Sequence, residues 1–61
     1  MFIECAYKDT IVAINLDNVS TIIESTRGYN KTMFTFWLRS QAPMEIDESY
    51  ESVMSKVRAA K

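Results

Sequence analysis

Histidine is absent from this 61-residue chain, and cysteine, glycine and proline occur once each. Without histidine the chain lacks the usual general base at neutral pH and the commonest neutral metal ligand. Neither a Ser-His-Asp nor a Cys-His arrangement can form within it. Cys5 stands alone, so the chain can form neither an intrachain disulfide nor a cysteine-built zinc site, and a reducing cytoplasm fits. A single glycine, Gly28, cannot build a phosphate-cradling loop, and there is no CxxC. These absences predict a protein that is not an enzyme, with no catalytic residues, no cofactor and no metal site.

Charge of one sign is also missing. Seven basic and eight acidic side chains give a net charge of -1, so no overall field draws the chain to nucleic acid or to an anionic membrane. No apolar run approaches the roughly 20 residues that a membrane helix needs. The opening Met-Phe-Ile-Glu-Cys-Ala has no basic stretch, and Glu4 interrupts its apolar character, unlike a signal peptide. The expectation is a soluble cytoplasmic protein with no membrane contact.

What is present is globular in kind: 48% hydrophobic residues against 25% charged, with no repeat and no low-complexity tract. Residues 1–61 read as a single domain. A domain this short buries only about 60% of the surface its unfolded chain exposes, so its stability is thin and association is a common remedy.

Period-two alternation marks the strands. Residues 1 to 7 place Ile3, Cys5 and Tyr7 on one face, and residues 10 to 16 place Val12, Ile14 and Leu16 on one face. Lys8 and Asp9 between them suggest a hairpin whose turn type stays open because neither is glycine. Asp17 and Asn18 turn the chain into a third strand, Val19 to Glu24, with Val19, Thr21 and Ile23 alternating and Ile22 on the other side. Residues 25 to 30 form a polar loop, and the segment from Arg27 to Asn30 is expected to be exposed and mobile. Ser40 to Pro43 breaks the chain again before a short last strand at Met44 and Ile46.

The last segment is helical. Tyr50, Val53, Met54, Val57 and Ala60 form one stripe, with Ser49 or Asp47 able to cap it. Asp47, Glu48 and Glu51 at its start and Lys56, Arg58 and Lys61 at its end match the helix dipole. The fold class is therefore α+β: a small antiparallel, meander-like sheet of four to five strands with one C-terminal helix on its greasier face. The expected core is Ile3, Val12, Ile14, Phe34, Phe36, Leu38, Ile46, Val53, Met54 and Val57.

Two groups of residues invite a chemical reading. Glu45, Asp47, Glu48 and Glu51 cluster, but they lack the spacing and glycine of a calcium loop and read as a solvated strand face plus complements to the helix dipole. Cys5 shares a face with Ile3 and Tyr7 and reads as a buried core thiol rather than a nucleophile.

The strand from Lys31 to Arg39 is apolar on both faces. Phe34, Phe36 and Leu38 point one way, Met33 and Trp37 the other, and one helix covers only one face. The uncovered face predicts self-association, a homodimer being the simplest form, with Trp37, Met33, Phe2 and Ile11 at the contact. An alternative is single-stranded nucleic acid stacked on an aromatic and basic ribbon, for which Tyr29, Arg27, Lys31 and Arg39 are the candidate ligand contacts.

Three runs carry a family resemblance: Ala13 to Ile22, Phe36-Trp37-Leu38, and Met44 through Glu48-Ser49 to Met54. In length, in an Asn followed by an apolar pair across a turn, and in a final strand leading through Glu-Ser into a short helix, the chain resembles the small flagellar FlbD-type proteins. It departs from them in having Ser40-Gln41-Ala42-Pro43 where an Asn-Gly or Asp-Gly turn is expected. The resemblance implies the same strand and helix layout and a role in motility, with no catalytic residues to carry over. The functional expectation is a small accessory or regulatory protein of bacterial or phage type that acts by binding a protein partner.

Overall fold

The computed structural model describes residues 1–25 and 30–60. Of the loop expected at Arg27 to Asn30, Asn30 is exposed, whereas Arg27, Gly28 and Tyr29 lie outside the described residues. Among the described residues the chain forms β1 (Phe2–Tyr7), β2 (Thr10–Asn15), a 3-10 turn (Leu16–Asn18), β3 (Val19–Glu24), β4 (Thr32–Phe36), β5 (Met44–Ile46) and α1 (Tyr50–Ala59). This is the expected α+β fold, with the strands divided into two antiparallel sheets rather than one: β1-β2 and β3-β4-β5.

The first sheet is a hairpin whose register runs from Phe2 opposite Asn15 to Tyr7 opposite Thr10. Its two turn residues, Lys8 and Asp9, have φ of 46° and 63°. Positive φ at both positions is what a type I′ turn demands, because that turn matches the right-handed twist of the strands. Ile3, Cys5 and Ile14 are buried on the inner face, with Val12 half-buried, while Phe2, Glu4, Ile11 and Ala13 are exposed on the outer one.

In the second sheet, a bulge between Val19 and Thr21 inserts Ser20 and resets the alternation. Val19 and Ile22 both pack inward, opposite Phe36 and Phe34, and Ile23 is left exposed opposite Met33. The single alternating face of Val19, Thr21 and Ile23 expected from the sequence is therefore broken, since one extra residue shifts every later side chain to the other face.

β4 is also shorter than the sequence suggests. It ends at Phe36, Trp37 N–H still bonds Asn18 O at 2.9 Å, and the chain then turns through Leu38, whose carbonyl accepts from Gln41 N–H at 3.1 Å. Leu38, expected in the core, is exposed for this reason.

Among the described residues the sheets meet at one backbone bond, Asp47 N–H to Ala6 O at 2.9 Å, which sets the spatial order β2-β1-β5-β4-β3 and leaves one edge each of β2 and β3 without a strand neighbour. Ser49 caps α1 by accepting Ser52 N–H at 3.1 Å. The helix then presses Val53 into a core made with Ile3, Cys5, Ile14, Phe34 and Ile46. The rings of Phe34 and Phe36 lie 6.5 Å apart at a tilt of 58°.

Candidate interaction surface

An up-and-down strand order gives the molecule two ends. At one end the chain start, the 3-10 turn and the turn after β4 are tied together. Leu16 N–H donates to Met1 O at 2.8 Å, Trp37 N–H to Asn18 O at 2.9 Å, and Asn18 Nδ2 to Gln41 Oε1 at 3.0 Å. Those three segments carry most of the large apolar side chains left in water: Trp37 is 70% exposed, Phe2 64%, Leu38 58% and Met1 55%. A hollow of about 370 Å³ between Phe2, Asn18, Phe36 and Gln41 indents this end. From Met1 an apolar groove of about 460 Å³ continues between β3 and α1, lined by Leu16, Val19, Ile22, Tyr50, Met54 and Val57.

The structure thus brings two of the four expected contact residues, Trp37 and Phe2, to the same end. It does not bring the other two there. Ile11 is exposed, but it sits opposite Ala6 near the Lys8-Asp9 turn, at the far end of the hairpin. Met33 is half-buried on the outer face of the second sheet, between Ile23 and Glu45. Met1 and Leu38 are the apolar members that sequence reasoning missed. Leu38 was hidden by extending β4 three residues too far, to Arg39, and Met1 gives no sequence signal of its own.

Of the residues expected to touch a ligand, Arg39 is exposed in the same turn as Trp37. Arg27 and Tyr29 are outside the described residues. Lys31 is engaged within the chain: its ammonium is hydrogen-bonded to Asp47, which raises the Lys31 pKa above the ordinary lysine value. The same bond from Lys31, followed by the Lys8 N–H at 2.8 Å, lowers the Asp47 pKa below the usual carboxylate range.

The acidic cluster is less solvated than the sequence suggests. Burial alone would push Glu48 up. Bonds from Lys56 Nζ at 2.8 Å, Ser52 Oγ at 2.7 Å and Ala6 N–H at 2.7 Å outweigh it and hold the carboxyl below its ordinary value. Glu48 O also accepts from Thr32 Oγ1 at 2.8 Å, and Thr32 is fully buried. Cys5 lies close behind this group. Burial, then the Glu48 charge, raises its thiol pKa, with Lys56 opposing, so the thiol is held neutral rather than activated.

Among the described residues no three or more His, Cys, Asp or Glu are grouped to hold a metal ion, and no helix is long and apolar enough to cross a membrane. No family model, curated protein or solved structure matches the chain.

Proposed function

We propose that this protein acts by protein-protein binding and self-associates through the end formed by Met1, Phe2, Trp37 and Leu38, as a small accessory or regulatory protein. The observation that carries the reading is the gathering of four large apolar side chains, each more than half exposed, where three separate segments are hydrogen-bonded together. Monomers seldom leave such a patch in water.

A second copy is the occupant that needs the least else. A specific interface takes roughly 800 Å² from each partner, about a fifth of the 4389 Å² that this chain exposes. Four large side chains with the groove beside Met1 supply a substantial share of that area. A two-fold pairing lets one patch meet its own copy.

The nucleic-acid reading draws less support. Lys31 is neutralised by Asp47, and Glu45 faces outward beside Met33, where a phosphate would be repelled. The motility role implied by the FlbD-type resemblance rests on sequence spacing alone.

Sedimentation equilibrium on the parent and on Trp37→Glu tests the proposal. Association of the parent at high micromolar concentration, little changed by salt and lost in Trp37→Glu, is the expected result. A monomeric parent overturns self-association, and equal association of Trp37→Glu overturns the choice of surface. Binding to single-stranded oligonucleotide that weakens steeply with salt would favour the alternative.

A further inference from the structure

A strand inside a sheet is sealed on both edges by neighbouring strands, but β1 has a full neighbour, β2, on one edge only. Its other edge is closed largely by side chains. Glu4 O accepts from Lys56 Nζ at 2.6 Å, Ala6 N–H donates to Glu48 Oε2 at 2.7 Å, and Lys8 N–H donates to Asp47 Oδ2 at 2.8 Å. The bond from Asp47 N–H to Ala6 O is the backbone contribution. The Glu48 carboxylate stands where a strand carbonyl would accept, and the Lys56 ammonium where a strand N–H would donate. A carboxylate differs from a peptide carbonyl in one respect that matters here: a proton can switch it.

We propose that Glu48, Asp47 and Lys56 form an acid-operated latch on the open edge of β1, so that protonating the two carboxylates frees that edge locally while the rest of the fold stays assembled. Neutral carboxyls lose the charge-assisted part of their bonds to Ala6, Lys8 and Lys56. The groups facing Glu48 are Lys56 and Ser52 from α1 and the Cys5 thiol and Ala6 N–H from β1. Those facing Asp47 are Lys31 and Lys8. With no histidine in the chain, no side chain titrates between the carboxylates and the thiol to blur the step. Both carboxyls sit below their ordinary values, which places the release in acid, under the usual carboxylate range. An open β1 edge would offer unpaired backbone groups to another strand and uncover Cys5, which is fully buried when the latch is closed.

Amide NMR of the 61-residue chain from about pH 7 down to about pH 1.5 tests this, with Cys5 labelling by a dithiodipyridine followed in parallel. The expected result is that the Ala6 and Lys8 amides shift and lose about tenfold or more of their exchange protection. Phe34, in the middle of the central strand of the second sheet between Ile22 and Met44, keeps its protection, and labelling of the single thiol accelerates over the same pH interval. Glu48→Gln is expected to abolish the acid step at Ala6 and preserve the one at Lys8, which depends on Asp47. Simultaneous loss of protection at Ala6, Lys8 and Phe34 would mean global unfolding and would overturn the proposal. So would an Ala6 amide with no acid step. The parent titration decides the matter by itself if the variant does not fold.

Discussion

Phe34 shows how much one side chain carries in a chain of this size. It is fully buried in the middle of β4, flanked by Ile22 on β3 and Met44 on β5. Truncating a buried Phe to Ala costs about 3–5 kcal/mol through lost transfer energy and the cavity left behind, which rivals the whole stability of a small domain. Phe34→Ala is therefore expected to be largely unfolded in water. Phe36→Ala, at the half-buried end of the same strand, should stay folded with a lowered urea midpoint. Equal midpoints for the two variants would contradict the burial gradient along β4. Alternation in the sequence placed both rings on one face but could not rank them, because rank depends on what covers each ring. Thr32 makes the same point: a polar residue at a strand start, it can be fully buried because its hydroxyl donates a hydrogen bond to Glu48 O.

Among the elements, the β1-β2 hairpin holds the clearest local cost. Lys8 and Asp9 both adopt positive φ, a region that costs an ordinary L-residue roughly 1–2 kcal/mol. The sequence marked the turn by its two polar residues but not its type, since the preferred glycine is missing. Asp9→Gly removes the steric cost and gives back part of it as unfolded-chain entropy, so a net stabilisation of about 0.5–1 kcal/mol is expected, read as a raised urea midpoint. Lys8 is best left in place, because its ammonium lies 5.3 Å from the centre of the Tyr7 ring and its charge helps to hold the Asp47 carboxyl ionised. β3 illustrates the opposite failure of local reading. Its bulge at Ser20 turns Ile22 inward and Ile23 outward, and no residue type in Val19–Glu24 announces it.

At the scale of the whole molecule, stability depends on pH through a few paired groups. Glu48 and Asp47 titrate below their ordinary values, so their contribution is fully present above the unfolded carboxylate pKa and is lost as pH falls through the folded values. Lys31 and Cys5 titrate above theirs, so what they contribute is present below the unfolded values and is lost as pH rises through the folded ones. The urea midpoint should therefore be flat across neutral pH, falling in acid below the ordinary carboxylate range and again in strong alkali. Glu48→Gln should shallow the acid limb and, because the Glu48 charge helps to raise the Cys5 thiol, weaken the thiol's part of the alkaline one while leaving that of Lys31. A parent whose midpoint is unchanged from neutral to acid pH would contradict the pairing of both carboxylates.

The sequence by itself determined the strand and helix order, the last strand at Met44–Ile46, the helix stripe and most of the core, because hydrophobic periodicity is a local property that follows from backbone geometry. It also determined that an apolar surplus would remain outside, since one helix can cover only one face. Tertiary structure alone decided where that surplus lies. The end of β4 at Phe36 sent Trp37 and Leu38 into a turn beside Phe2, whereas the strand directions carried Ile11 and Met33 to the other end. Tertiary structure also decided the work of Glu48. As a helix-dipole complement it was legible from its neighbours in the chain. Its bond to Ala6, 42 residues away, exists only because the meander brings β1 back beside the start of α1, and no local pattern encodes a contact at that separation.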